Sequence, residues 1–114
     1  MTEPRLTALV EASSLIRRAS ANGDFAAILR KGDPERGSLI IVVRSKGDYV
    51  AVLERALGVD GIYRWERTGP KESDSSQNLA DFLNRRAGFD PDLWLIELDI
   101  AQAERFIAET TSSG

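Results

Sequence analysis

The sequence contains no cysteine and no histidine. The first absence removes disulfides, thiolate nucleophiles and thiolate zinc sites together. The second removes the commonest acid–base group near neutral pH, the usual base of a serine triad and the commonest metal ligand. Any chemistry must run on Asp, Glu, Lys, Arg, Tyr, Ser or Thr. Long apolar runs are missing too: none is longer than Leu39 to Val43, which is far too short to cross a bilayer. The start, MTEPRLTALVEASSLIRR, lacks a basic segment leading into an apolar core and a small-residue cleavage site. A cytoplasmic protein without membrane contact is therefore expected. No G-x-x-x-x-G-K-S/T phosphate loop occurs and no serine has a plausible base, so no cofactor is expected and catalysis is disfavoured.

The chain of 114 residues fits one domain, 1–114, with fraying expected from about residue 110. Net charge is −3, which makes nucleic acid an unlikely partner for the molecule as a whole. The charge is uneven. Residues 1–89 hold 14 basic and 12 acidic side chains, and residues 90–114 hold one basic and six acidic. A mildly basic body with an acidic final quarter permits self-association.

Periodicity predicts a helix over 6–21, with Leu6, Leu9, Val10, Ile16 and Ala19 on its apolar face and a stop at Asn22-Gly23. Four strand-like runs follow: Phe25–Lys31, Ser38–Arg44, Tyr49–Arg55 and Ile62–Arg67. Their short links predict an antiparallel meander. Asp74-Ser75-Ser76-Gln77 has capping-box spacing and opens a helix to about Ala87. Gly88 suits a left-handed cap, Phe89 can fold back on the last turn, and the helix dipole explains Arg85-Arg86. A fifth strand and a short helix from Ile100 to about Ala108 complete an αββββαβα order. The expected class is α+β: a largely antiparallel sheet of about five strands with helices packed on it.

The most distinctive stretch is DPDLWLIELD, Asp90 to Asp99, in which four carboxylates bracket five large apolar residues. Asp90 before Pro91 suits a turn, and Asp99 has N-cap spacing to Gln102, worth about 1 kcal/mol. Asp92 and Glu97 remain as the only candidates for a divalent metal, although no metal is expected. The arrangement of elements resembles the core of restriction-endonuclease-like nucleases, but no Glu-x-Lys occurs. A second group surrounds the turn LRKGDPERG, where Arg30, Lys31, Asp33 and Arg36 could hold phosphate or an acidic partner. Trp65 and Trp94 are candidate stacking or contact residues; a strand tryptophan is more often core.

Taken together, AAILRKGDPERGSLIIVV, then Gly61 with Trp65, then FDPDLWLIELDIAQAERF, resemble the small alphaproteobacterial family called domain of unknown function 1491. The resemblance spans nearly the whole chain and rests on the R-x-G-D-x-x-x-G hairpin (Arg30 to Gly37) and the DPDLW stretch (Asp90 to Trp94). A large aromatic expected near the start of the first helix is missing. The resemblance implies one cytoplasmic domain and supplies no activity. Three functions follow in order of preference: a non-catalytic binding or protein-interaction module, with self-association one form of it; a metal-dependent phosphoesterase using Asp92 and Glu97, with Arg30 and Lys31 on phosphate; and nucleic-acid binding through the basic hairpin around Arg30 and Lys31.

Overall fold

A computed structural model of the chain describes residues 7–111. Its elements run α1 (Ala8–Ala21), β1 (Phe25–Arg30), β2 (Leu39–Ser45), β3 (Asp48–Leu57), β4 (Tyr63–Thr68), α2 (Ser76–Phe89), β5 (Trp94–Asp99) and α3 (Ala103–Thr111). The class is α+β, with one five-stranded sheet, mostly antiparallel, in the order β1-β5-β2-β3-β4.

The meander is shorter than expected. β2, β3 and β4 are joined by tight antiparallel links, but β5 lies between β1 and β2. It runs antiparallel to β1 and parallel to β2. The physical reason lies in the strands' composition. Leu39 to Val43 and Trp94 to Ile96 are apolar on both faces, so each gains most from interior positions with a strand on either side. β1 is less apolar at its end and takes the edge. The β2–β3 link is a two-residue turn in which Lys46 and Gly47 both have positive φ, 53° and 83°. That combination matches the right-handed twist of the flanking strands.

Side chains alternate across the sheet and make two cores. On one face Leu39, Ile41, Val43, Ala51, Leu53, Trp94, Ile96 and Leu98 meet α1 and α3. On the other, Ile40, Val42, Val52, Leu93 and Leu95 meet Leu79, Phe82 and Leu83 of α2. α1 turns an unexpected face inward. Ala8, Ala12 and Ala19 are buried with Glu11, while Leu9 and Val10 are exposed. The spacing 8, 12, 15, 19 is helical, and small side chains let the helix lie close to the sheet. Leu6 lies outside the described residues.

The caps also differ from expectation. Thr7 caps α1 by accepting from the Val10 N–H at 3.4 Å. Ser75, not Asp74, caps α2, and its hydroxyl accepts from the Asn78 N–H at 3.2 Å. Asp74 instead accepts from the Lys71 N–H, and Gln77 bonds Asp81. α2 continues through Gly88 to Phe89, which is 82% exposed and does not fold back. Arg86 reaches β3 and makes a two-pronged pair with Glu54 at 2.5 Å, which raises the pKa of the guanidinium. Asp99 does not cap α3. Its carboxylate accepts from the Gly47 N–H at 2.8 Å in the β2–β3 turn. The N–H at the start of the α3 region, on Ala101, goes to Asp24 at 3.1 Å. α3 extends through Thr111, whose hydroxyl donates to the Ile107 carbonyl.

The hydroxyl of Tyr49 donates to the Pro70 carbonyl and ties β3 to the loop after β4. Burial raises its pKa above the ordinary 10.0. The folded state thus holds this proton more tightly than the unfolded chain. Its contribution is complete below the unfolded pKa and is lost as pH rises through the raised folded value. Tyr49→Phe is expected to cost about 1 kcal/mol near neutral pH. The gap to wild type should narrow above pH ~10. Urea unfolding on both sides of that pH checks this; a gap of unchanged size would contradict it.

Candidate functional site

The expected hairpin around Arg30 and Lys31 is instead a crossover loop, because β5 lies between β1 and β2. That loop and the DPDLW stretch, far apart in sequence, interlock. The indole N–H of Trp94 donates to the Asp33 carbonyl at 2.7 Å. The Asp33 N–H donates to the Asp92 carbonyl at 3.0 Å, and the Trp94 N–H to the Ser38 carbonyl at 2.8 Å. Arg30 adds a bond from Nη2 to the Pro91 carbonyl at 3.0 Å. Both glycines are explained by proximity. A Cβ on Gly32 would lie 2.0 Å from the Asp92 carbonyl oxygen. One on Gly37 would lie 2.3 Å from that same oxygen and 2.6 Å from Trp94 Cδ1. The turn also anchors α1, because the Leu9 N–H donates to the Pro34 carbonyl at 2.9 Å.

Two carboxylates of this region, Asp33 and Asp90, are taken up by backbone. Asp33 accepts from the Arg36 and Glu35 N–H groups at 2.8 and 2.9 Å, which hold its carboxyl below the ordinary 3.8. A turn whose N–H groups would otherwise cradle an anion is thus occupied by its own aspartate. Asp90 accepts from the Asp92 N–H at 3.1 Å. Asp92 and Glu97 are not brought together. Asp92 precedes β5 at the crossover-loop end, whereas Glu97 lies inside the strand and pairs with Arg44 at 3.4 Å. Three strand residues alone separate Trp94 from Glu97 by about 10 Å. Among the described residues, no group of three or more acidic side chains is placed to hold a metal ion. No described helix is long and apolar enough to cross a membrane.

Arg30, Asp33, Asp92 and Trp94 therefore gather at one end of the sheet, with Lys31 and Arg36 exposed on the same turn. Trp94 is wholly buried. Trp65 is apart from this group, partly buried against the α1–α3 core. The Arg55 guanidinium lies over its ring at 5.6 Å and over Tyr63 at 6.0 Å. Arg55 also pairs with Glu11 of α1 at 3.7 Å. This charged cluster went unforeseen, since Glu11 occupies a core position of α1 that reads as solvent-facing beside Leu9 and Val10.

Two further surfaces stand out. A groove of about 470 Å³ runs between the C-terminal half of α1 and α3. Its lining includes Leu98, Ile100 and Phe106, with Arg18, Asn22 and Gln102 among its polar groups. The other is β1. It is an edge strand, paired on one side only, by β5. Phe25, Ile28 and Leu29 are 61%, 46% and 50% exposed, and no charge falls between Asp24 and Arg30. The opposite edge, β4, carries Arg64, Glu66 and Arg67. Charged residues are the usual protection of a free edge, and β1 has only Arg30, at its end.

A mixed five-stranded sheet with three helices, locked by a glycine-bearing crossover loop against a Trp-bearing strand, defines a class of small domain. Comparison with known proteins names it. The family described as protein of unknown function (DUF1491) matches residues 6–108, and the chain belongs to that family. A crystal structure of a DUF1491 protein from Caulobacter crescentus has a TM-score of 0.78 and 26% identity, covering 90% of this chain and 94% of that one. A solution structure of a protein from A. tumefaciens has a TM-score of 0.70 and 27% identity, covering 85% and 87% respectively. No curated protein matches.

Two outcomes test the interlock. Gly32→Ala is expected to cost about 3 kcal/mol, because backbone must move to admit the methyl group. Near-wild-type stability in urea would show that the contact yields easily. The lowered pKa of Asp33 gives stability that is present above the unfolded value and lost as pH falls through the folded one. Asp33→Asn should therefore flatten the loss of stability below pH ~4. An acid limb of unchanged slope would contradict that assignment.

Proposed function

We propose that the protein is a non-catalytic protein-interaction module that takes an extended segment of a partner as an added strand on β1. The carrying observation is the open, apolar edge of that strand. Strand addition satisfies its outward backbone groups, while Phe25, Ile28 and Leu29 provide contacts for alternate side chains of the incoming segment. Asp33, Asp90, Asp99, Arg30 and the Trp94 indole are taken up by backbone, and Glu97 pairs with Arg44, which supports a structural role for them. The phosphoester reading needs Asp92 and Glu97 at one centre, an arrangement the geometry does not provide. A nucleic-acid reading has the exposed Lys31 and Arg36 in its favour, but the net charge is −3 and Asp33 already fills the N–H groups of the turn. The module works most naturally in the cytoplasm.

The test is a selection of random peptides against the full-length protein, followed by affinity measurement on wild type and Ile28→Lys. Ile28 is half exposed, so the variant is expected to fold with an unchanged melting temperature. Selected peptides should be extended and apolar. They should lose roughly tenfold or more in affinity on the variant, equivalent to about 1.4 kcal/mol. Peptides that bind both proteins equally would place the contact elsewhere and sink the reading.

A further inference from the structure

We infer that the segment docking on β1 is β1 of a second copy of this chain, paired antiparallel about a two-fold axis at Ala27. This rests on the reading of β1 as a docking edge and names its occupant.

The argument is one of self-complementarity. β1 is preceded by an acid, Asp24, and ends in the bases Arg30 and Lys31, with only apolar residues between. Antiparallel pairing centred on Ala27 sets Ala26 opposite Ile28 of the second copy and Phe25 opposite Leu29. Asp24 then falls opposite Arg30, and two-fold symmetry repeats that contact at the other end. Parallel pairing would set acid against acid and base against base. The ionic groups have capacity to spare. Asp24 uses Oδ1 on the Ala101 N–H and keeps Oδ2. Arg30 uses Nη2 on Pro91 and buries its Nε, which leaves Nη1 for the contact. The irregularity between Ile28 and Arg30 in the β1–β5 pairing falls at Leu29, so Ala26 to Ile28 set the register and Arg30 reaches Asp24 from beyond the bulge through its long side chain. Joining two β1 strands makes one continuous sheet from two. Its outer edges are the charged β4 strands, so assembly closes at a dimer. The interface is small and falls among weak, concentration-dependent contacts.

The absence of cysteine makes the register directly testable by single-cysteine cross-linking of the full-length protein. Opposed residues of an antiparallel pair have Cα atoms about 4.5–5.5 Å apart, within the range a disulfide spans. Ala27→Cys sits on the axis. Leu57→Cys, on the β3–β4 hairpin and 59% exposed, is the control for random collision. Under mild oxidation Ala27→Cys should form a covalent dimer at least roughly tenfold faster than Leu57→Cys, because the axis raises the effective thiol concentration. Light scattering should show wild-type mass doubling between micromolar and sub-millimolar protein, with Ile28→Lys remaining a monomer. A wild type that stays monomeric throughout, while selected peptides still dock on β1, overturns the second copy and leaves the docking reading standing. A wild-type dimer that survives Ile28→Lys, with the two cysteines oxidising equally fast, places the interface elsewhere and also overturns it. If neither dimer nor β1-dependent peptide is found, both readings fall together.

Discussion

The hydrogen bond from the Trp94 indole to the Asp33 carbonyl holds the architecture in place. A fully buried indole needs an acceptor for its N–H, because an unmet donor in the core costs about 1–3 kcal/mol. The acceptor comes from a loop sixty-one residues earlier in the chain. Forming that bond draws the β1–β2 connection over the start of β5. It thereby holds β1 and β2 apart by the width of one strand, and β5 fills the gap. The glycines at 32 and 37 permit the approach, and Arg30 closes it from the side through Pro91. The stretches by which the chain resembles its family are the two halves of one joint.

Charge placement follows the same logic of local satisfaction. Asp33, Asp90 and Asp99 each bind backbone N–H groups in turns, and Asp24 binds one at the start of the α3 region. Asp60, at the tip of the β3–β4 hairpin, takes a two-pronged bond from Arg64 and is lowered to about 2. Glu54 and Arg86 pin α2 to β3 on one side of the sheet, and Glu11 and Arg55 link α1 to β3 on the other. β3 therefore carries an ionic contact to a helix on each face. The aromatic rings of Tyr63 and Trp65 flank the Arg55 end of the second contact.

Much of this was legible in the residues. Apolar runs and turn chemistry located every element to within a few positions, and the αββββαβα order is the one observed. The strand order was not legible, because the pattern of β5 states that it is interior without stating between which neighbours. The inward face of α1 was misread because alanines carry little hydrophobic weight while Leu9 and Val10 carry much. Capping spacing also misled at Asp74 and Asp99. Spacing records only local opportunity, and a non-local donor, the Gly47 N–H, claimed Asp99. Of the candidate site residues, Arg30, Asp33, Asp92 and Trp94 do converge, but no sequence pattern distinguishes a joint from a binding centre. The apolar edge of β1 was visible as composition. That it would be an edge depended on where β5 went.

The late arrival of β5 has a consequence during synthesis. When β1 through β4 have been made, β2 lacks a neighbour on one side and β1 has no strand partner at all. The ladder cannot close until residues 94–99 emerge, so β1 and β2 wait through the production of α2 with an open slot between them. Non-local parallel pairing of this kind forms slowly and exposes aggregation-prone surface meanwhile. β5 is thus the latch of the sheet: its six residues, Trp94–Asp99, cover the open side of β2 and give β1 its strand partner in one step.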